Sequence, residues 1–403
     1  MNETLKSVCV VGLGYIGLPS AAILAKTGYR VYGYDINTYA VEMINSGRIH
    51  IVEPDLESYV KVVVAEGLLT ADSKPHEADV FIIAVPTPFR DNYKPDISFV
   101  ENAIKTICPL LKDGNIIILE STSPVGTTEK IQEIMVEQKI NIDKLYIAHC
   151  PERVLPGKIL TELVENNRIV GGLTVEATEK VSAFYKTFVK GEVIQTNART
   201  AEFSKLVENA SRDVQIAFAN ELSIICDDLN IDVWEVIRLA NKHPRVNILS
   251  PGPGVGGHCI AVDPWFIVDS DPKESMIIRE ARERNLLKTE WVIKKIEKTI
   301  DSYFLNKGIK PVLGCMGITY KADIDDLRES PSLEIARHLR EKGIEIMVVE
   351  PNIKRHNEFK VYTTDEVLNK ADIIVFLVSH KEFVNLRIPE AITILDFCGI
   401  TNK

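Results

Sequence analysis

The feature that most constrains the fold is the short apolar run Val8–Val11, because it is followed at once by GLGYIG and then by the helix-prone run Leu18–Thr27. Glycines spaced as GxGxxG between a strand and a helix are typical of dinucleotide-binding α/β folds. Gly12 allows the tight turn, Gly14 lets a pyrophosphate approach the backbone, and Gly17 lets the helix pack on the strand. The motif therefore predicts a parallel sheet covered by helices, with a phosphate site at a helix N-terminus.

The next predicted strand, Arg30–Tyr34, is followed by Asp35. An acidic side chain at the end of this strand binds the ribose hydroxyls of a dinucleotide, and its charge repels a 2′-phosphate. We therefore expect the cofactor to be NAD rather than NADP, bound by the glycine loop together with Tyr15, Ile16 and Asp35. The alternative is an α/β packing turn without a nucleotide, and the acid at the strand end argues against it.

Three further strand-like runs end in polar residues: Asp79–Val85 before Thr87, Asn115–Leu119 before Thr122, and Leu145–Ala148 before Glu152. Ligands of open α/β folds bind at the carboxyl edge of the sheet, so the two threonines are candidates for contacts to cofactor or substrate. The two threonines could equally cap the helices that follow them.

Composition limits the classes of protein that fit. At 403 residues the chain is too long for one ordinary core, so two or three domains are expected. With 45% hydrophobic and 26% charged residues, and with apolar runs no longer than a strand, the composition is that of a soluble protein without membrane spans. A net charge of −10 argues against a nucleic-acid binder, and seven cysteines without a CxxC pair predict neither disulfides nor a metal site. The N-terminal residues show no signal-peptide pattern, so we expect a cytoplasmic protein.

A long helix is predicted from Arg199 to about Leu229, where apolar residues recur at helical spacing. Lys205 and Asn209 lie four residues apart and share one face of this helix. Such a pair on a helix surface is often simply solvated. A long helix with an apolar face commonly packs against its counterpart in a second copy, so we expect a homodimer. Two more helices are predicted, over Ile231–Lys242 and Glu274–Ile300.

A second α/β pattern begins after the polar linker Lys307–Pro311. It predicts the helix Pro331–Lys342 and four strands: Val312–Met316, Glu345–Val349, Ile373–Val378 and Ile392–Asp396. We therefore expect an α/β protein with two Rossmann-like, doubly wound domains joined by a helical central domain that contains one long helix. The expected boundaries are 1–198, 199–306 and 307–403. Within residues 317–332 we expect a solvated charged loop at three acids, Asp323, Asp325 and Asp326.

The stretch Pro251–Gly257 contains four glycines and two prolines, which excludes the interior of a helix or strand and predicts a tight loop. This loop delivers Cys259, and Asp263 follows four residues later. The missing side chains let a ligand come close, and exposed N–H groups can donate to anionic oxygens. A buried structural thiol is the alternative explanation. The cofactor loop, Lys205 and Asn209 favour a nucleophile, because a catalytic cysteine would need them.

The motifs GLGYIG, PTP, STSPVGTT, PER, KLVENA, PGPGVGGHCIAVDP and DLRESP follow one another along nearly the whole chain. In their order they resemble the nucleotide-sugar dehydrogenases of the UDP-glucose and GDP-mannose dehydrogenase family. His258 beside Cys259 is more typical of members that act on N-acetylated sugars, and GGHCIAVDPWF is most similar to members that use UDP-N-acetyl-D-mannosamine. Relatives that use UDP-glucose usually carry a lysine where this chain has Val262. Many relatives also carry a second glutamate where this chain has Pro156, so the role of that glutamate is not carried over.

The resemblance implies an NAD-dependent, four-electron oxidation of a UDP-sugar at C6, which supplies polysaccharide precursors. Cys259 would attack the intermediate aldehyde, and the resulting adduct would be oxidised to a thioester and hydrolysed. Lys205 and Asn209 would stabilise the oxyanion, while Asp263 would help to hold the reactive water. The implied catalytic set is completed by Glu152 and Thr122. The implied substrate contacts are Glu152, Arg153, Lys205, Asn209, Arg245 reaching the partner subunit's sugar site, Gly256, Gly257, His258 and Lys321, and Arg328 is implied to contact the NAD phosphates.

Other functions stay open on the residues alone. The same chemistry could act on UDP-N-acetylglucosamine or UDP-glucose. A two-electron 3-hydroxyacid dehydrogenase would use Lys205 and Asn209 but would leave Cys259 and the second α/β domain without a task. A module that senses NAD without catalysis would not need Lys205, Asn209, Cys259 and Asp263 together. Arg245 could instead pair with a surface acid, and His258 could cap backbone groups.

Overall fold

The structure is a computed structural model that describes residues 6–90, 93–155 and 157–402. The chain divides into two compact units, Met1–Glu208 and Asn209–Lys403. The expected division into three domains, at residues 198 and 306, stays a prediction.

The first unit contains an eight-stranded sheet in the order β3-β2-β1-β4-β5-β6-β7-β8. Its strands are β1 (Ser7–Val11), β2 (Arg30–Tyr34), β3 (Leu69–Asp72), β4 (Val80–Ile83), β5 (Ile116–Leu119), β6 (Tyr146–His149), β7 (Arg168–Gly172) and β8 (Val193–Asn197). Its helices are α1 (Gly17–Lys26), α2 (Thr38–Asn45), α3 (Leu56–Ala65), α4 (Ser98–Ile107), α5 (Thr127–Glu137), α6 (Ile159–Glu165) and α7 (Val175–Tyr185), and α8 (Ala198–Asp228) begins in this unit.

The core of the first unit lies on both faces of the sheet. Val8 and Val10 of β1 belong to one buried apolar cluster, and Cys9 and Val11 belong to another on the opposite face. Successive side chains of a strand point to opposite faces, so a strand covered by helices on both sides must be apolar throughout. The continuous apolar runs seen in the sequence follow from this requirement.

One strand pair breaks the parallel order. β6 and β7 are antiparallel, with Ala148 opposite Gly172 and His149 opposite Gly171, whereas β7 and β8 are parallel to each other. Because β7 approaches from the opposite direction, its first residue, Arg168, lies beyond the carboxyl end of β6. The guanidinium is thereby brought to the loop that carries Glu152, an arrangement that the sequence pattern did not indicate.

The second unit holds the rest of α8 and a four-stranded, fully parallel sheet in the order β10-β9-β11-β12. Its strands are β9 (Leu313–Met316), β10 (Ile346–Val349), β11 (Ile373–Phe376) and β12 (Thr393–Asp396). Its further helices are α9 (Val233–Ala240), α10 (Asp263–Ser270), α11 (Met276–Lys307), α12 (Pro331–Glu341) and α13 (Thr364–Leu368). The two Rossmann-like sheets and the long helix α8 confirm the expected fold class.

Two helices differ from the sequence expectation. α11 continues to Lys307, where Gly308 adopts a φ of +72° and closes the helix. α10, which begins at Asp263 directly after the cysteine loop, was not among the predicted helices, and Pro264 lies in its first turn. Proline suits this position because the first N–H groups of a helix have no partner within it.

Two helices, α8 and α11, are long but carry charged side chains along their length. They span 31 and 32 residues. Across the helices of residues 6–90, 93–155 and 157–402, none combines the length and the apolarity needed to cross a membrane.

Candidate active site

Of the three glycines in the loop between β1 and α1, only Gly14 has room for a side chain. A Cβ on Gly12, which has a φ of +91°, would lie 2.7 Å from the carbonyl oxygen of Ala84, and one on Gly17 would lie 1.8 Å from the carbonyl oxygen of Gly12. A Cβ on Gly14 would meet no atom within 4 Å. Gly12 and Gly17 are therefore required by packing, whereas Gly14 leaves free the approach to the N-terminus of α1.

Asp35 lies at the end of β2 and holds the glycine loop. Its Oδ2 accepts a hydrogen bond from the Leu13 N–H at 2.8 Å, and its Oδ1 accepts one from the Asn37 N–H at 2.8 Å. Burial lowers the pKa of His50, while the charge of Asp35 opposes that shift, so the imidazole lies near the carboxylate. The acid therefore lies against the glycine loop, as a ribose-binding residue must. Tyr15 and Ile16 are half-buried in the same loop.

Thr87 and Thr122 lie together at the carboxyl edge of the sheet. The Thr87 hydroxyl donates to the carbonyl oxygen of Thr122 at 2.5 Å, which joins the exits of β4 and β5. The N-caps of the next helices, α4 and α5, are Ile97 and Gly126. The threonines therefore do not cap these helices, and both remain candidates for ligand contacts.

Glu152 forms a buried ion pair. Its Oε2 accepts from Arg168 Nη1 at 2.5 Å, and the two side chains are 7% and 2% exposed. Its Oε1 accepts from the Arg153 N–H at 2.7 Å. The end of the loop is held by Glu53, whose carboxylate accepts from the N–H groups of Gly157 and Ile159, both at 2.8 Å. The loop around Glu152 is therefore fixed by charge-assisted hydrogen bonds at both ends. Pro156 lies outside the described residues.

A second buried carboxyl, Glu120, lies near this ion pair. It accepts from the Tyr185 hydroxyl at 2.8 Å. Burial raises the pKa of Glu120 to about 7, with Glu152 adding to the shift and Arg168 opposing it. One guanidinium therefore faces two carboxyls, and a proton on Glu120 reduces the repulsion between them. The side chain of Arg153 points elsewhere and pairs with Glu208 at 2.6 Å.

The cysteine loop of the second unit is in close contact with segment 317–330. Gly257, at a φ of +83°, donates its N–H to the carbonyl oxygen of Arg328 at 3.0 Å. A Cβ on Gly257 would lie 2.8 Å from the Tyr320 ring, and one on Gly256 would lie 2.3 Å from the carbonyl oxygen of Glu329. The two glycines are therefore needed for this close approach. Next to them His258 is exposed and Cys259 is half-buried.

Asn209 and Asp263 are in direct contact. Asn209 Nδ2 donates to Asp263 Oδ2 at 2.5 Å, and both residues are buried. The N–H of Asp263 donates to the carbonyl oxygen of Cys259 at 2.8 Å. The sequence predicted these three as catalytic, and the structure brings them to one place. Lys205 lies one helical turn before Asn209 on α8 and is half-buried.

The segment 317–330 adds one residue that sequence reasoning missed. Burial raises the pKa of the Tyr320 hydroxyl, and Asp326 and Cys259 raise it further, so the ring lies near the thiol. Tyr320 precedes the predicted contact Lys321, and no pattern in the sequence marked it. Arg168 was missed as well, because its role depends on the antiparallel strand.

Arg328 and Asp326 form an ion pair within this segment. Arg328 Nη2 donates to Asp326 Oδ2 at 2.6 Å. Burial opposes ionisation of Asp326, but the hydrogen bonds from Arg328 outweigh it and lower the pKa of the carboxyl, with a further contribution from His258. The expectation of a solvated acid is therefore wrong for Asp326, which is half-buried, and is confirmed for Asp323 and Asp325, which are exposed.

Two predicted substrate contacts lie on the surface. Lys321 and Arg245 are both exposed. Across the described ranges no carboxylate comes within ion-pairing distance of Arg245, so the alternative of a surface ion pair for this side chain finds no support. The candidate residues divide into two groups: the glycine loop, Asp35, Thr87, Thr122, Glu152, Arg153 and Lys205 in the first unit, and Asn209, Arg245, Gly256, Gly257, His258, Cys259, Asp263, Lys321 and Arg328 in the second.

Comparison with known proteins gives matches along both units. Models of the UDP-glucose/GDP-mannose dehydrogenase family match as its NAD binding domain at residues 6–189, its central domain at 199–286 and its UDP binding domain at 314–402. The UDP-N-acetyl-D-mannosamine dehydrogenase of Campylobacter jejuni is 51% identical over 99% of this chain and 100% of its own. The NDP-N-acetyl-D-galactosaminuronic acid dehydrogenase of Ralstonia nicotianae (strain ATCC BAA-1114 / GMI1000) is 50% identical over 94% of this chain and 92% of its own. The solved structure of the UDP-D-ManNAc dehydrogenase from Pyrococcus horikoshii matches with a TM-score of 0.89 at 37% identity, over 98% of this chain and 96% of that one.

Proposed function

The chain belongs to the UDP-glucose/GDP-mannose dehydrogenase family, and from that premise we propose that it oxidises C6 of UDP-N-acetyl-D-mannosamine to the uronate. The observation that carries the proposal is the buried contact of Asn209 with Asp263, immediately after the glycine loop that delivers Cys259. A dehydrogenase that stops at the aldehyde has no need of a nucleophile at this position.

NAD supplies the hydride acceptor in each of the two oxidations. The residues of the glycine loop fit this cofactor, since Gly14 leaves space that a Cβ would fill in front of the N-terminus of α1. Asp35 is assigned to the adenosine ribose, because it lies at the end of β2 against the same loop. Thr87 and Thr122 are assigned to further cofactor contacts, and Arg328 to its phosphates.

Cys259 acts as the nucleophile of the second oxidation. The first oxidation removes a hydride from C6 and a proton from its hydroxyl, which leaves an aldehyde. The Cys259 thiolate then adds to the carbonyl carbon, and the carbonyl electron pair moves to oxygen to give a thiohemiacetal. Loss of a second hydride from C6 gives a thioester. Attack by water breaks the C–S bond, releases the carboxylate and returns the thiol.

Lys205 and Asn209 stabilise the oxygen that becomes negative when a nucleophile adds at C6. A cation and a neutral amide donor suit this task, and removal of one such donor typically costs about 10² to 10³ in rate. Asp263 holds Asn209 in place and, with Lys205, binds the water that removes protons and later attacks the thioester. Glu152, fixed by Arg168, assists the hydrolysis.

We assign the nucleotide part of the substrate to the second unit and its sugar to the cysteine loop. The family model at residues 314–402 describes a UDP binding domain, which supports a UDP-sugar as the substrate class. Gly256, Gly257 and His258 are assigned to the sugar, and Lys321 to the sugar nucleotide. Arg153 is also assigned to the substrate, although it pairs with Glu208 in this structure. The expected domains 1–198, 199–306 and 307–403 then correspond to cofactor binding, dimerisation and nucleotide binding.

A homodimer is proposed through α8. This helix exposes large apolar side chains along its length, with Phe203 45%, Val207 42%, Phe218 53% and Ile225 45% exposed. A stripe of this kind on a long helix is the surface that a second copy would cover. Arg245 is assigned to the partner's sugar site. We place the enzyme in the cytoplasm, where its product would supply polysaccharide synthesis.

The test is the amount of NADH formed per sugar consumed at completion. UDP-N-acetyl-D-mannosamine is compared with UDP-N-acetylglucosamine, UDP-N-acetylgalactosamine and UDP-glucose, and the wild type with Cys259→Ser. We expect two NADH per sugar, the manno substrate to have the highest kcat/KM, and Cys259→Ser to lose the second oxidation. One NADH in the wild type would remove the four-electron route and favour the two-electron dehydrogenase.

The galacto sugar is a second candidate, because a relative named for the corresponding uronic acid is nearly as similar to this chain as the C. jejuni enzyme. A higher kcat/KM for UDP-N-acetylgalactosamine would transfer the assignment to that sugar and leave the chemistry unchanged. No NADH with any of the four sugars would favour the NAD-sensing module.

A further inference from the structure

A row of four buried side chains leads to the start of the cysteine loop. Arg282 Nη1 donates to Asp213 Oδ1 at 2.6 Å, and Asn285 Nδ2 donates to the same oxygen at 2.8 Å. Asn220 Nδ2 donates to Asn285 Oδ1 at 2.8 Å, and Asn220 Oδ1 accepts from the N–H of Gly252 at 2.9 Å. All four side chains belong to residues that are at most 2% exposed. The row therefore connects an ion pair between α8 and α11 with the backbone of the loop that carries Cys259.

The negative charge of Asp213 determines how the side-chain amides of Asn285 and Asn220 are oriented. An ionised carboxylate only accepts hydrogen bonds, so Asn285 must turn its NH₂ group towards Asp213. Its oxygen then faces Asn220, which must also present its NH₂ group. The oxygen of Asn220 is thereby left facing the N–H of Gly252. If either amide were reversed, two donors or two acceptors would oppose each other in a buried site.

If the row served only to hold α8 against α11, it would be an unfavourable way to do so. Buried polar groups cost free energy unless every member is paired, and an apolar contact would join the helices more simply. Two other buried positions on the same helices, Ala217 of α8 and Val292 of α11, are apolar. The amides are explained by the contact at their end, because only an acceptor can bind the N–H of Gly252.

The loop has two further anchors. The Thr289 hydroxyl of α11 donates to the carbonyl oxygen of Pro253 at 3.0 Å. On the other side, the N–H of Gly257 donates to the carbonyl oxygen of Arg328. The loop is otherwise rich in glycine, which has no side chain to restrict it. Asn220 therefore supplies the constraint at its first glycine.

We propose that Asn220 is a positioning residue for Cys259, and that Asp213 and Asn285 hold its amide in the orientation that accepts from Gly252. The inference rests on the proposed function for the role of Cys259 as the nucleophile. Asn220 touches neither substrate nor cofactor in this proposal. It acts by fixing the loop, so its loss misplaces the thiol in the chemical steps more than it weakens sugar binding.

The experiment compares Asn285→Leu and Asn220→Ala with Ser223→Ala as the matched control. Asn285→Leu keeps roughly the size of the side chain, leaves the Arg282–Asp213 ion pair in place and removes the amide that orients Asn220. Ser223, on α8 near Asn220, accepts from the buried Lys288 ammonium at 2.7 Å, so its loss also removes a buried hydrogen bond between α8 and α11. The quantities measured are kcat and KM for UDP-N-acetyl-D-mannosamine, the rate of iodoacetamide alkylation of Cys259 followed on its peptide, and the melting temperature.

We expect both network variants to lower kcat on the order of 10²-fold with KM almost unchanged, because a small misplacement of a reacting group has an effect of this size. The rate at which Cys259 is alkylated is expected to change with kcat. Ser223→Ala is expected to lower the melting temperature while keeping kcat and the alkylation rate of the wild type.

Wild-type kcat and alkylation rates in Asn285→Leu would overturn the proposal, as would a loss of kcat in Ser223→Ala equal to that in Asn220→Ala. Asn285→Leu keeps the test decisive if Asn220→Ala does not fold. Failure of the proposed function is recognised separately: Cys259→Ser would then retain two NADH per sugar, while the alkylation rates would still report whether Asn220 positions the thiol.

Discussion

Asn209 on α8 donates a hydrogen bond to Asp263 at the start of α10, with 2.5 Å between Nδ2 and Oδ2, and the two residues are 7% and 3% exposed. They lie 54 positions apart in the sequence. The contact joins the predicted oxyanion donor to the predicted water-binding carboxylate. The backbone N–H of Asp263 also donates to the carbonyl oxygen of Cys259. One buried polar pair therefore couples the long helix to the cysteine loop.

Substitution of Asn209 should affect catalysis more than binding. Asn209→Ala removes the proposed oxyanion donor and leaves Asp263 without one of its hydrogen bonds, so we expect kcat to fall about 10² to 10³-fold with little change in KM. Steady-state kinetics with UDP-N-acetyl-D-mannosamine provide the measurement. Ser211→Ala, on the exposed surface of the same helix, is the control and should retain the wild-type kcat. Equal kcat in both variants would exclude the assigned role of Asn209.

Removing only one partner of the buried Arg168–Glu152 ion pair should lower the free energy of unfolding. Arg168→Met leaves the Glu152 carboxylate buried without its counter-charge, so we expect the free energy of unfolding to fall by about 3–5 kcal/mol. Chemical denaturation is the measurement. Arg199→Met breaks the exposed pair with Glu129 and should cost no more than about 1 kcal/mol. A similar loss in the two variants would show that Arg168 does not compensate a buried charge.

Because Lys288 is buried, we expect the free energy of unfolding to rise with pH above neutrality. Burial lowers the pKa of this lysine to about 7, against the pull of Asp227. Between that value and the usual pKa of lysine, the unfolded chain binds more protons than the folded one, so raising the pH stabilises the fold. We expect a gain of about 1 kcal/mol per pH unit between pH 7.5 and 9.

Unfolding titrations across this pH range provide the measurement for Lys288. In Lys288→Met the slope should largely disappear, whereas in Lys294→Met, at an exposed position of the same helix, it should persist. A slope that persists in Lys288→Met would mean that another group titrates on unfolding.

Asp35 should control the choice between NAD and NADP. Asp35→Ser removes the charge and the acceptor for the Leu13 N–H, so we expect a higher KM for NAD and a smaller preference over NADP. The ratio of kcat/KM for the two cofactors is the measurement. Asp72→Asn, which removes an acid at the end of the neighbouring strand β3, should leave the ratio unchanged. An unchanged ratio in Asp35→Ser would place the cofactor's ribose elsewhere.

The exposed face of α8 should carry the dimer. Phe218→Glu places a charge on the apolar stripe, so we expect the variant to elute as a monomer under conditions where the wild type is a dimer. Size-exclusion chromatography with light scattering provides the measurement. Leu305→Glu, at an exposed apolar position near the end of α11, is the control. Dimers in both variants would place the interface on another surface.

Local patterns accounted for most elements that surround the site. The strand β1, the glycine turn and Asp35 were predicted because each follows from the geometry of a parallel sheet over a short stretch of chain. The length of α8 was readable for a similar reason, since helical periodicity is a local property. The cysteine loop was recognisable because its glycines and prolines exclude regular structure.

The contacts that complete the site were not local. Arg168 lies beside Glu152 only because β7 pairs antiparallel with β6, and no residue in either strand indicates that direction. Tyr320 lies against Gly257 because segment 317–330 folds over the cysteine loop. Asp326 looked like a solvated acid, yet Arg328 two positions later neutralises it.

The sequence by itself determined which groups are present and which local shapes carry them: the glycine turn, the helix with Lys205 and Asn209, and the loop with Cys259. Tertiary structure alone decided which of these groups meet, as in the pair Asn209–Asp263 and the row from Asp213 to Gly252. The physical reason is that backbone conformation depends on neighbouring residues, whereas burial and hydrogen-bond partners depend on segments that are distant in the chain and packed together by the core.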